Sequence, residues 1–388
     1  VTRALVINNV RAIGPQRIVE NATIVLEGGV VAEVSERSRP HTGGLDGRGS
    51  FALPGLVDSH SDGLEKEIHP RTGVTLDPRF ALRSFEQRVR SAGILTVAHG
   101  VVFVDKPAYQ RSVDLAHRLC DAIDERRVEP RALVDHRILF RTEARSADGL
   151  DALVPRLGIE HGAGPRPLLS FEDHTPGQGQ YRDIAVYRSA IAADRLPPGT
   201  TIDDLVAEKV EEARAGQGRR DRNWERVCAL AAQGSVRLLA HDCEDAAEIA
   251  VAADGGAEVA EFPLGIEAAT EARRRGMHVV MGAPNVLRGG SHSGNVAAEV
   301  LVRAGLCTVL ASDYLPASLL ASAFALAERG ACSLPEAVRL VSAGPADLLG
   351  LADRGRLEPG VRAEVVLVTL DGTLPTVRAV VGPEGPVP

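Results

Sequence analysis

Several short segments of the chain carry side chains that hold metal ions or move protons. His60 and Asp62 stand two residues apart at the end of the apolar run 51–60. An imidazole and a carboxylate at i and i+2 of a strand point the same way, and the pair suits Zn²⁺, Mn²⁺ or Fe²⁺. An isolated His-x-Asp is also how a strand ending in two surface polar residues reads. Glu143 closes another apolar run. A carboxylate there caps a helix, pairs with a cation, or serves as a metal ligand or bridge through both oxygens. Glu172-Asp173-His174 precedes a Pro-Gly break, and His241-Asp242 follows the strand-like Val236–Ala240. Asp313 follows Thr308–Ser312, where an acid binds metal, takes a proton from water, or caps the next helix. Each segment alone has an ordinary structural reading. Five apolar runs ending in ligand-type residues point together to one shared metal site.

A second set of residues suits an anion. The segment from Met281 to Asn295 contains Arg288-Gly-Gly-Ser291-His292 and reads as a Gly-rich loop leading into a helix that starts near Asn295. Glycines let backbone N–H groups approach an anion, and a helix N-terminus adds a favourable dipole. Arg288 offers paired N–H donors to a phosphate; His292 donates to a phosphoryl oxygen or acts as an acid. An ordinary flexible loop is the other reading. Lys66, Arg71 and Arg182 follow the His60 and His174 segments closely enough to ring the same mouth, or are solvated surface cations.

These residues meet only if the chain between them folds as repeated strand–helix units. Apolar, β-branched runs occur at 51–60, 93–103, 134–143, 167–174, 236–241, 257–262, 278–283 and 308–313. Stretches with helical spacing lie between them, at 108–127, 202–215, 245–253, 266–275, 296–304 and 334–342. Continuous apolar strands are buried on both faces, as in parallel sheets. Eight such units predict an α/β fold, a (β/α)₈ TIM-like barrel, whose active-site residues gather at the C-terminal strand ends. A doubly wound sheet is the competitor, but no G-x-G-x-x-G follows a strand. Short strands and turns at both ends predict a small β-sandwich domain built from residues 1–52 and 355–388, with residues 53–354 as the barrel.

Composition narrows the function. The 388 residues carry 44 Lys+Arg against 52 Asp+Glu, a net charge of −8, which argues against a nucleic-acid partner. Aromatics at 3% leave little for base stacking. Five scattered cysteines with no C-x-x-C argue against a disulfide framework and for a reducing compartment. No apolar run approaches the roughly 20 residues that span a bilayer, and Asn8 and Asn9 interrupt the N-terminal apolar run. A cytoplasmic protein with no membrane partner is the expectation.

The chain resembles the amidohydrolase superfamily in its two β-rich ends around a barrel, in Pro54-Gly-Leu-Val-Asp-Ser-His60, and in the order of the later carboxylate, two histidines and final Asp. More narrowly it resembles the PhnM-type enzymes of the carbon–phosphorus lyase pathway. The segments that carry this are His60-Ser-Asp-Gly-Leu-Glu-Lys66, Asp173-His-Thr-Pro-Gly-Gln, Ala260-Glu-Phe-Pro, Met281-Gly-Ala-Pro-Asn-Val with Arg288-Gly-Gly-Ser-His-Ser-Gly-Asn, and Ser312-Asp-Tyr. Asp62 stands where the superfamily more often has a second His. The resemblance implies one or two divalent metals, Zn first with Mn or Fe as alternatives, held by His60, Asp62, Glu143, His174, His241 and Asp313, with Glu143 as bridge. It implies Asp313 and His292 as catalytic groups, and Lys66, Arg71, Arg182, Arg288, Ser291 and His292 as substrate contacts. The expected reaction is hydrolysis of α-D-ribose 1-methylphosphonate 5-triphosphate, a small anionic phosphorylated substrate, to the 5-phosphate and diphosphate, and the expected assembly is a homodimer. The alternative is an amidohydrolase cleaving a C–N bond, as a deacetylase, deaminase or cyclic amidase.

Overall fold

A computed structural model describes residues 4–36, 44–71, 73–158, 164–192, 201–291, 294–382 and 385–386. Eight parallel strands pair in chain order: Leu56–Ser61, Ile94–Phe103, Asp135–Glu143, Leu168–Glu172, Arg237–His241, Ala257–Glu261, His278–Gly282 and Val309–Ala311. A parallel bridge between Ser61 and Asp313 joins the last strand to the first and closes the barrel. The seam is reinforced by Asp58, whose carboxylate accepts from the Ser312 backbone N–H at 3.0 Å and its hydroxyl at 2.5 Å.

Side-chain alternation explains where the chemistry sits. Val57, Ala98, Leu139, Leu168, Leu239, Val259, Val280 and Val309, one from each strand, pack together inside the barrel. Leu56, Val97, Phe140, Leu169, Leu238, Ala260, Val279 and Leu310 face the surrounding helices instead. Two residues further along, the inward positions become Arg141, Ser170, His241 and Glu261. A period of two thus lifts polar groups onto an apolar floor. His60 falls out of this alternation. Its strand carries a register irregularity between Asp58 and Ser61, which turns the imidazole inward.

A second eight-stranded sheet draws on both chain ends and wraps its own core of Ile7, Val10, Ile24, Val31, Val365 and Leu367. The run expected as one strand over 51–60 divides. Phe51–Pro54 pairs antiparallel with Val365–Val368 in this sheet, and Leu56 begins the barrel. Gly55 makes the crossing because a Cβ there would lie 2.8 Å from Leu95 Cδ1 and 3.0 Å from Glu364 Cβ. The helix expected from residue 108 starts at Val113. Pro107–Tyr109 forms a 3₁₀ turn first, and the Ser112 hydroxyl caps the Leu115 N–H.

Helices Pro78–Ser91 and Val113–Arg127 are locked to the barrel by one buried carboxylate. Glu86 accepts from Arg126 Nη2 at 2.7 Å and from the Leu133 N–H at 2.7 Å, with His136 Nε2 at 3.0 Å. Burial pushes the Glu86 carboxyl up, but His136 and Arg126 outweigh it and hold it at about 2. That stabilisation is complete above the unfolded-state value and fades as pH falls from about 4 toward 2. Glu86→Gln leaves Arg126 with only the more exposed Glu129 as counter-charge and removes the charged acceptor of His136 and the Leu133 N–H, so it should cost about 3 kcal/mol at neutral pH. Urea unfolding across pH should also show a flatter acid limb in the variant.

Candidate metal centre

The strand ends converge on a cleft of about 180 Å³ lined by His60, Asp62, Arg141, His174, His241, Asp242, Phe262, Arg288, Ser291, Asn295, Asp313 and Tyr314 among others. At its base Glu261, fully buried, accepts from two imidazoles. His60 Nδ1 lies 2.7 Å from Oε1 and His241 Nδ1 lies 2.8 Å from Oε2, while the Ser170 hydroxyl donates to Oε2 at 2.6 Å. Burial raises the Glu261 carboxyl, yet the two imidazoles more than offset this and hold it well below the usual range. Phe262 packs 5.2 Å from the His60 ring and 5.3 Å from the His241 ring.

With Nδ1 held by a carboxylate, each ring presents Nε2 to the cleft, the arrangement a metal-binding imidazole needs. His174 follows the same rule with another partner: its Nδ1 lies 3.2 Å from Glu143 Oε1. Among the described residues four groups bring ligand atoms within 4.8 Å of one another, and two of them consist wholly of cleft-lining residues: His60, Asp62 and Asp313, and His174, His241 and Asp242. The others are Glu143, Glu172 and His174, and Glu172, His241 and Glu261. The backbone helps to aim them. Asp242, Phe262 and Asp313 all have φ of 55°, a left-handed turn directly past a strand end, costing roughly 1 kcal/mol or more each.

Charge is balanced unevenly. Arg141 bridges the mouth, giving Nη1 to Asp62 at 2.5 Å and Nε to Glu172 at 2.6 Å. Lys106 gives Nζ to Glu143 at 2.7 Å. Against Arg141, Lys106 and the rim Arg288 stand the acids Asp62, Glu143, Glu172, Asp242, Glu261 and Asp313. Burial and the neighbouring Asp62 push Asp313 up to about 6. Burial lowers His241, but Asp242, Glu172 and Glu261 outweigh it and bring it to about 9. The donor set, imidazole nitrogens plus carboxylates in acid excess, fits divalent cations of the Zn, Mn or Fe kind, and their entry displaces protons from the imidazoles.

The structure therefore gathers His60, Asp62, His174, His241 and Asp313. Glu143 lies beside them, its Oε1 facing Lys106 Nζ and His174 Nδ1 and its carboxylate grouped with Glu172 and His174. Arg288 and Ser291 line the cleft, and His292 lies outside the described residues. Lys66, Arg71 and Arg182 are exposed and are not among the cleft-lining residues. The expected Gly-rich loop is partly helical. Pro284 opens a turn of helix at Ala283–Arg288, and Gly289 at φ 75° ends it. The next helix starts at Ala298, three residues past Asn295, and its first N–H is taken by Asn285 Oδ1 at 2.8 Å. Sequence reasoning gave Lys106, Arg141 and Glu261 no role. Only Glu261 had a signal, its place in the strand-end segment Ala260-Glu-Phe-Pro.

No family model matches the chain. It is 34% identical over 368 residues, 94% of either chain, to the α-D-ribose 1-methylphosphonate 5-triphosphate diphosphatase of Escherichia coli strain K12. It is 21% identical over 387 residues to imidazolonepropionase of Thermoplasma volcanium, covering 91% of this chain and 85% of that one. Its fold matches 5-methylcytosine deaminase of Klebsiella pneumoniae, solved with phosphonocytosine, at a TM-score of 0.64 and 14% identity, covering 99% and 98% of the two chains.

Glu261→Ala should free both His60 and His241 to rotate. Zinc affinity should fall about 10–100-fold, as for lost partners of metal-bound histidines, measured by calorimetric titration of the metal-free chain.

Proposed function

The chain belongs to the amidohydrolase superfamily, in its PhnM-type branch, and on that premise we propose that this hydrolase cleaves α-D-ribose 1-methylphosphonate 5-triphosphate to the 5-phosphate and diphosphate, within phosphonate breakdown by the carbon–phosphorus lyase pathway. The observation that carries this reading is the 34% identity to the Escherichia coli diphosphatase across 94% of both chains. The cleft supports it from the chemical side.

His60, Asp62, His174, His241 and Asp313 hold the metals, with zinc the first choice. A bound divalent metal supplies positive charge for phosphoryl oxygens and lowers the pKa of water from 15.7 to about 7. Asp313, buried beside Asp62, takes the proton of the attacking water. Glu261 and Glu143 keep the imidazoles in register. Arg288 and Ser291 at the rim, with His292, hold the triphosphate and meet the charge that gathers on the departing diphosphate. An acid-rich cleft binds a polyanion only when cations are present, so metal and substrate binding are coupled here.

The test is direct. The zinc-loaded chain, given the ribose triphosphate, should release diphosphate, and N-acetyl or cyclic amide substrates should be left intact. Cleavage of the C–N substrates without diphosphate release would move the chain to the amidase reading. Asp313→Asn should lower kcat by about 10²–10⁴-fold with an unchanged circular dichroism spectrum. Arg288→Ala should act mainly on KM for the triphosphate, raising it about 10-fold or more for a lost charged contact.

A further inference from the structure

We infer that Asp242, which sequence reasoning left out of the ligand set, is the third protein ligand of a cation held by His174 and His241. The inference rests on the metal dependence proposed above and is independent of the substrate.

The geometry carries it. Asp242 is 7% exposed, and its Oδ2 is buried with no hydrogen-bond partner among the described residues. A buried carboxylate oxygen left unpaired is costly and calls for an explanation. This one faces two imidazole nitrogens: His241 Nε2 at 3.6 Å and His174 Nε2 at 4.0 Å. The opposite nitrogen of each ring is already engaged, His241 Nδ1 with Glu261 and His174 Nδ1 with Glu143. Once metal entry has displaced protons from the rings, the two Nε2 lone pairs and Asp242 Oδ2 converge on one point. Zinc with ligands at 2.0–2.1 Å in a tetrahedron sets its donor atoms about 3.3 Å apart, so a small contraction of this triangle seats the ion.

Glu143 has no equivalent freedom. Its Oε1 faces Lys106 Nζ and His174 Nδ1, and Oε2 faces the His174 backbone N–H at 3.4 Å. It is a positioning residue for His174. Asp242 immediately follows His241, and its left-handed φ of 55° aims its carboxylate back toward that ring.

The experiment compares the metal-free and zinc-titrated wild type with Asp242→Asn, a change that keeps the shape and tolerates the left-handed backbone. Zinc affinity at one site should weaken at least tenfold, and the zinc-induced rise in Tm should shrink. The metal-free Asp242→Asn chain should keep the wild-type circular dichroism spectrum, so that a lost zinc response reads a lost ligand and not a lost fold. Cobalt(II) titration should show an altered visible band for the affected site. Wild-type zinc affinity and an unchanged cobalt spectrum in Asp242→Asn would overturn the assignment, as would a metal-free variant of lower Tm with a wild-type zinc shift. A wild type that takes up no zinc, cobalt or manganese would overturn this inference together with the metal dependence. C–N cleavage by a chain whose Asp242→Asn variant binds zinc weakly would overturn only the substrate.

Discussion

Glu261 accepts hydrogen bonds from His60 and His241, which reach it from opposite arcs of the barrel. One carboxylate fixes the tautomer and aim of two rings, and Ser170 holds the carboxylate in turn. Because the interaction is dry, roofed by Phe262 and carried on a strand, neither ring can swing without breaking a charge-assisted bond in a low dielectric. The cleft is organised around that economy. Glu143 repeats it for His174, and Arg141 restrains Asp62 and Glu172 between them.

Acid excess in the cleft gives the overall charge of −8 a local meaning. A protein that must hold a polyanion usually lines its site with Lys and Arg. Here the permanent cations within the mouth, Arg141 and Lys106, are spent on carboxylates. On the proposed reading, attraction for phosphate comes from the ions that these carboxylates would recruit, with Arg288 placed further out at the rim.

Much of this was legible in the sequence because periodicity and chain order are local properties. Seven of the eight apolar runs became barrel strands and the first supplied one from its second half, while helix Ile202–Ala215 falls where its spacing put it. His60, Asp62, His174, His241 and Asp313 were visible as ligand types at strand ends, and a barrel topology makes strand ends meet. What was not legible depends on distant pairs. Lys106 precedes a proline in what reads as a surface loop, and only folding sets it against Glu143. Glu261 gains its role from partners 20 and 201 residues away. The segment after Met281 misled because its glycines were weighed before Pro284, which starts a helical turn whatever follows.

Phe51–Pro54, the strand that leads into His60, takes its partners from both ends of the sequence. It lies beside Arg11 and Ala12 on one side and Val365–Val368 on the other. During synthesis the N-terminal half of this small sheet is made first and waits, with one edge of Phe51–Pro54 unpaired, until Val365–Val368 has left the ribosome. The contact spans over three hundred residues, so its closure entropy is met late and slowly. The barrel strands between are consecutive neighbours and can assemble meanwhile. The strand that leads into His60 is thus braced late, and a nascent chain is committed to a barrel before its strand-end cluster gains that support.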